Sequence, residues 1–279
     1  MGSPRVITDP EDPAVISYRG SDVCSQVAAG RFVAETEIVV RRLLESPLVV
    51  ESLLLTPGRL DQLRESLNDA GRERLAGVEV LVAGRKLLTE IVGFERHRGV
   101  AALARRPSPP DLGAALIGRD ALTILIAEGI ADPQNIGTIL RAARAFAVDL
   151  VLLGPRCGDP WSRRASRAAM GNNMAMSATI ACVDDLPVMI AALRSRLPGL
   201  GIAAATVGPA ALSLPSWRRP RRLALVVGNE GAGISESLLA LADHELTIPM
   251  ASEVDSLNVG AATAVLLYAA GGLALSREI

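Results

Sequence analysis

Three segments of the chain gather groups that could do chemistry. The first, AEGIADPQNIGTILRAARAF over residues 127–146, sets Asn135 after an Asp132-Pro133 turn, Arg141 six residues on, and Arg144 one helical turn further. A guanidinium presents a planar fork of donors that suits a phosphate or an oxyanion, and asparagine at a helix start can cap free backbone N–H groups. A capped surface helix with solvated arginines would show the same spacing. The second, LALVVGNEGAGIS over residues 223–235, runs an apolar strand into Gly228, Gly231 and Gly233, with Glu230 among them. Glycines let backbone come close to a ligand, and a carboxylate set between them has little packing role. The G-x-x-G-x-G spacing fits neither the dinucleotide fingerprint nor the Walker loop, since no lysine follows. A tight strand-to-helix turn accounts for the glycines about as well. The third, LTIPMASEVDSLNVGAATAVLLYA over residues 246–269, ends a strand at Pro249, crosses a polar loop, and opens a long apolar helix at Ser256-Leu257-Asn258. Asn258 could simply be the N-cap of that helix.

Other chemistries find little support. His97 and His244 are the only histidines, so no clustered metal-ligand spacing exists and no metal is expected. Cys24, Cys157 and Cys182 are widely spaced, without a C-x-x-C pair, which fits a reducing cytoplasm and no disulfide framework. No uninterrupted apolar run reaches membrane-spanning length, and the polar start MGSPRVITDPEDP does not read as a targeting helix. A formal net charge of −1 announces no nucleic-acid partner, and 3% aromatics argue against a surface that grips bases mainly by stacking. Lys86 is the only lysine. The arginine bias suits phosphate recognition, yet compositional bias explains it equally.

The elements that must position these groups alternate between strand and helix. Residues 1–20 read as a flexible arm, rich in Pro, Asp and Ser. The stretch RFVAETEIVVRRLLES, from Arg31, has Phe32, Val33, Val39, Val40, Leu43 and Leu44 at helical spacing. VVESLLLT then reads as a strand, GRLDQLRESLNDA as a helix, VEVLVAG as a strand, GRKLLTEIVG as a helix and GVAALARR as a strand. RRPSPPD, with Pro107, Pro109 and Pro110, is the best linker. Beyond it come the strands ALTILIAEGI, DLVLLG, GIAAAT, RRLALVVGNE and HELTIPM. Helices are expected from Asn135, near Ser235 and from Asn258. Strands this uniformly apolar belong to a mostly parallel sheet covered on both faces. The expected division is an arm over 1–20, a small α/β domain over 21–106, a linker over 107–112 and a second α/β domain over 113–279.

Taken jointly and in order, N-x-x-x-x-x-R, GNEGxG and IPM…SLNV resemble the three signature motifs of the SpoU/TrmH branch of the SPOUT methyltransferases. The resemblance covers roughly residues 120–275, and WSRRASRAAMG over 161–171 resembles the family's intervening segment, with Ala169 where a serine is usual. The front domain, through FVAETEIVVRRLLE, VESLLLTP and GFERHRGVAAL, resembles more loosely the L30-like (L30e-like) substrate-binding domain of many members.

The resemblance implies a deep trefoil knot in the C-terminal α/β domain, a homodimer through its knotted helices, S-adenosylmethionine as cofactor and RNA as substrate. It places cofactor contacts at Gly228, Ile248 and Leu257, with Met250 and Val259 nearby, and the reaction at Arg141, with Asn135, Glu230, Ser256 and Asn258. Glu230 and Asn135 are expected to orient Arg141, and Ser256 and Asn258 to hydrogen-bond around the knot. Arginine is effectively never deprotonated in proteins, so Arg141 is expected to hold a phosphate or a developing alkoxide in preference to acting as base. The SLNV form of the third motif favours a ribose 2′-hydroxyl over a base, and the L30-like front domain favours ribosomal over transfer RNA. The rivals are a non-catalytic RNA-binding protein on the same scaffold and, against the glycine spacing, a nucleotide-dependent dehydrogenase.

Overall fold

The computed structural model describes residues 3–19, 27–93, 99–112, 116, 118–208 and 211–271. The chain divides into two compact units, Met1–Ser108 with Pro160–Ser177, and Pro109–Asp159 with Ala178–Ile279. The segment 161–171, read above with the second domain, therefore packs in the first unit.

The first unit is built on a five-stranded sheet in the order β1-β4-β3-β5-β2. Its strands are β1 (Arg5–Ile7), β2 (Arg31–Glu35), β3 (Val50–Leu55), β4 (Glu79–Ala83) and β5 (Val100–Arg105). Residues 5–18 are not a loose arm. β1 pairs parallel with β4, and Ile7, Val15 and Tyr18 are buried in the core with Leu54, Leu81 and Leu88. The Tyr18 hydroxyl lies 2.8 Å from Ser52 Oγ, and burial pushes its pKa up. Within 93–103 the residues 94–98 lie outside the described residues.

Two helical expectations break at single residues. The stretch from Arg31 is a strand, Arg31–Glu35, followed by a helix, Glu37–Glu45, because the backbone turns at Thr36 with φ 74° and ψ 145°. Apolar side chains on both sides of that turn mimic one helical face. GRLDQLRESLNDA splits into helices Arg59–Ser66 and Asp69–Ala76, since Asn68 Oδ1 accepts from Gly71 N at 2.8 Å and caps a new helix.

The second unit carries a seven-stranded sheet in the order β10-β12-β9-β11-β6-β7-β8, every pairing parallel. The strands are β6 (Leu122–Ala127), β7 (Leu150–Leu153), β8 (Ile180–Cys182), β9 (Leu200–Ala205), β10 (Leu212–Ser213), β11 (Arg222–Val227) and β12 (His244–Thr247). Successive residues Ile124, Leu125 and Ile126 are all fully buried, so both sheet faces are covered, as the apolar runs require. On one face helix Leu186–Arg196 supplies Leu186, Ile190 and Leu193. Helix Val259–Gly271 packs on helix Pro133–Ala145 so closely that a Cβ at Gly260 would lie 2.6 Å from Thr138 Cγ2. Among the described residues no helix is long and apolar enough to cross a membrane, and no His, Cys, Asp or Glu group could hold a metal ion.

Candidate active site

The site forms where β9, β11 and β12 end and their loops leave the sheet, the edge at which parallel α/β sheets bind ligands. After β11 the chain folds back on itself. Asn229 and Gly233 exchange backbone hydrogen bonds of 3.0 and 2.9 Å, and Asn229 Oδ1 accepts from Gly231 N and Ala232 N at 2.8 and 2.9 Å. Gly233 has φ 70°, and a Cβ on Gly228 would sit 2.4 Å from Gly233 O. Only glycine fits at 228, because the turn closes directly over it. Asn229 Nδ2 anchors the turn by donating to Gly129 O at 2.8 Å.

Closing the turn leaves Glu230 at its tip, and there the three segments meet. Helix Pro133–Ala145 is capped by Asp132, whose Oδ1 accepts from Gln134 N at 3.0 Å, with Pro133 in its first turn. Asn135 is therefore not the cap, and its side chain is free for another use. Its Nδ2 donates to Glu230 Oε1 at 2.9 Å. Asn258 Nδ2 donates to both Asn135 Oδ1 and Glu230 Oε1, each at 3.0 Å. The Asn258 Oδ1 meanwhile accepts from Gly260 N at 3.0 Å, so Asn258 both caps the last helix and ties it to the other two segments. Residues 123 positions apart are thus joined by one closed set of hydrogen bonds.

Beside this junction lies a cavity of about 410 Å³, within the range of small-molecule sites. Gly228, Ile248, Met250, Leu257 and Val259 all line it, as do Glu230 and Ser256. Ser256 makes no hydrogen bond among the described residues, contrary to the expectation that it would bond to its surroundings; it is exposed at the cavity. Arg141 stands apart. Six residues after Asn135, at about 100° per residue, it points to a different side of the helix. It is exposed, contacts neither Glu230 nor Asn135, and makes no hydrogen bond or ion pair among the described residues. The expected orientation of Arg141 by those two groups is not what the structure shows.

Two further groups line the cavity that the motifs did not mark. Thr206 follows β9, and its Oγ1 is buried without a hydrogen-bond partner; Glu245 comes from β12. The rule that ligands meet the carboxyl ends of parallel strands would have flagged Thr206 had GIAAAT been read for its end as well as its core. Nearby, Cys157 Sγ donates to Ala127 O at 3.4 Å, and burial pushes its pKa up.

A parallel sheet with a largely apolar cavity over a glycine turn at its strand ends is the arrangement of an α/β domain with a small-molecule site. The model of the SpoU rRNA Methylase family matches residues 122–268. An uncharacterized tRNA/rRNA methyltransferase of Mycobacterium bovis is 33% identical over 270 residues, covering 94% of this chain and 90% of that one. The 23S rRNA (guanosine-2′-O-)-methyltransferase RlmB of Salmonella typhimurium is 31% identical, covering 83% of this chain and 94% of its own. In fold, the AdoMet-bound rRNA methyltransferase from Sinorhizobium meliloti superposes with a TM-score of 0.79 at 24% identity, over 96% of this chain and 98% of that one. The chain belongs to the SpoU rRNA methylase family; it is an RNA methyltransferase, and S-adenosylmethionine is its cofactor.

The cavity suits that cofactor by its donor set. Ile248, Leu257 and Val259 offer apolar walls for a flat ring, the Thr206 hydroxyl is an orphaned polar atom, and Glu230 and Glu245 offer carboxylates to a cationic ligand.

Proposed function

We propose that the protein methylates a ribose 2′-hydroxyl of ribosomal RNA, working as a homodimer in the cytoplasm. The observation that carries this reading is the junction of Asn135, Glu230 and Asn258 beside a cavity lined by Gly228, Ile248, Met250, Leu257 and Val259. Those five residues are the proposed cofactor contacts, and S-adenosylmethionine held there would supply a methyl group on a sulfonium, whose sulfur departs as a neutral thioether without the help of a metal.

What remains for the protein is positioning and charge. The junction holds three segments in one arrangement, so that the cavity and the incoming hydroxyl keep their alignment. Arg141, exposed and unpaired among the described residues, is the proposed anion holder for a substrate phosphate or the developing alkoxide. It stays protonated throughout, and the hydroxyl proton passes to water or phosphate. Ser256, exposed at the cavity, is the proposed polar contact to the bound groups.

The names of the relatives support ribosomal RNA: RlmB and the 27% identical 23S rRNA (guanosine(2553)-2′-O)-methyltransferase RlmP of Bacillus subtilis. The resemblance of the front unit to ribosomal protein L30 supports the same substrate. A homodimer is supported by the apolar outer stripe of the last helix, where Val265 is 40% and Tyr268 64% exposed. A trefoil knot is supported by the chain path. β12 is seated between β9 and β10, and the chain then returns to pack its last helix on Pro133–Ala145. Nucleoside mass mapping of ribosomal and transfer RNA from a deletion strain, with and without the gene restored, tests the reading. One missing 2′-O-methyl in ribosomal RNA is expected; a missing base methyl, or a change confined to transfer RNA, would overturn it.

A further inference from the structure

Arg156 lies on the short loop that leaves β7, and that loop has almost no freedom. Gly154 N donates to Ala127 O and Gly158 N to Ile130 O, each at 2.8 Å. A Cβ on Gly154 would lie 2.3 Å from Leu186 Cδ1, and one on Gly158 would lie 2.9 Å from Ala131 O. Between these clamps Arg156 is held at φ 63°, the left-handed region that glycine or asparagine adopts easily and arginine does not. Strain of this kind persists only where the surroundings enforce it, and it often marks function.

The side chain so placed is exposed and makes no hydrogen bond or ion pair among the described residues. Its Nη2 is 4.0 Å from where a Cβ of Gly129 would be, beside the turn that Asn229 Nδ2 anchors. Three carboxylates of the same sheet edge are engaged by other donors. Glu128 Oε2 accepts from Ser235 N, Asp132 Oδ1 from Gln134 N, and Glu230 Oε1 from Asn135 and Asn258. None of them forms an ion pair with Arg156. Nor is Arg156 among the residues that line the cavity.

We infer that Arg156 is an RNA-phosphate contact of the methyl-transfer site, a second anion holder beside Arg141 that fixes the substrate backbone against the Gly129 turn. The planar guanidinium fork suits a phosphate, and a rigid loop spares the backbone's share of the ordering cost on binding. This inference rests on RNA being the substrate, as proposed above.

The test uses the full chain, with Arg156→Gly and Arg156→Asn, which both suit the left-handed backbone, and Arg156→Lys, which keeps the charge. Binding to purified 23S ribosomal RNA is measured between about 50 and 200 mM salt, and S-adenosylmethionine affinity in parallel. The Gly and Asn variants should bind RNA about 10-fold more weakly at low salt. They should also lower the slope of log affinity against log salt by about one. Arg156→Lys should keep the wild-type slope, and cofactor affinity should be unchanged in all three. Unchanged RNA affinity and slope in the Gly and Asn variants, or a matching loss of cofactor affinity, would overturn the inference alone. A wild-type protein that binds no 23S RNA would instead remove the ribosomal substrate reading, and this inference with it.

Discussion

Each unit of the protein has a carboxylate that holds distant segments together, and the two do so by opposite means. In the first unit Glu35, 1% exposed, lies between Arg163 and Arg167, each with a guanidinium nitrogen 2.7 Å from a carboxylate oxygen. Burial pushes the Glu35 carboxyl up while the two arginines pull it down, and burial also lowers the Arg163 guanidinium. Arg163 donates further to Val92 O and Tyr18 O, so the cluster fastens residues 160–177 into the first unit. In the second unit Glu230 is exposed, and its partners are the neutral amides of Asn135 and Asn258. Glu35 is held by charged partners, Glu230 by neutral ones. A buried carboxylate set between two guanidiniums serves structure, whereas an exposed carboxylate held by amides ties segments together beside a ligand cavity.

Removing the charge at Glu35 should have the largest effect. Glu35→Gln strands two guanidiniums, one of them nearly buried, and should lower the unfolding free energy by about 3–5 kcal/mol in a denaturant titration. A loss below about 1 kcal/mol would show the cluster to be no more than a surface pair. Arg141→Ala should slow methyl transfer to ribosomal RNA about 10²–10³-fold with cofactor affinity unchanged, the scale for loss of one charge-stabilising donor. Full activity in that variant would remove Arg141 from the reaction. Asn258→Ala removes a cap and a tie to Glu230 at once, and should cost about 1–2 kcal/mol in the same titration. A cost no greater than that of an ordinary surface substitution would mean that the junction contributes little.

The smallest effect concerns the turn beside Glu35. Thr36 is β-branched and sits at φ 74°, ψ 145°, a region that glycine alone occupies without strain. Relief of about 1–3 kcal/mol of strain should outweigh the roughly 0.5–1 kcal/mol entropic cost of glycine. Thr36→Gly should then raise stability by about 1 kcal/mol, and a destabilised variant would contradict the strained turn.

The same two regions show what could be read from sequence alone. Asn135, Glu230 and Asn258 were marked by type and spacing, and the structure joins them. The five expected cavity residues were marked by the motifs and line one cavity. The pattern could not show the partners. Pro133 in the first helical position already favours Asp132 over Asn135 as the cap, and a six-residue step already sets Arg141 on another side of the helix from Asn135; what spacing does not give is where the Glu230 turn stands. Spacing gives no sign of the Glu35 cluster because its arginines lie 128 and 132 positions away. Thr36 hid between two apolar runs whose spacing continued a single helix. The short strand β8 and helix Leu186–Arg196 leave little pattern in the sequence, the helix because its buried positions are diluted by apolar residues all round. Nothing in the type or spacing of Arg156 sets it apart; its backbone angle and its place beside Gly129 do.

The central claim is that the cavity over the Gly228 turn is where the cofactor binds. Calorimetric titration of S-adenosylmethionine into the wild-type protein and into Gly228→Ala tests it most directly, because a Cβ there meets Gly233 O at 2.4 Å and the turn must open. The account predicts one binding site per chain in the wild type and at least about 10-fold weaker binding in the variant, with its unfolding transition retained. No binding by the wild type, or equal affinity in both proteins, would contradict it.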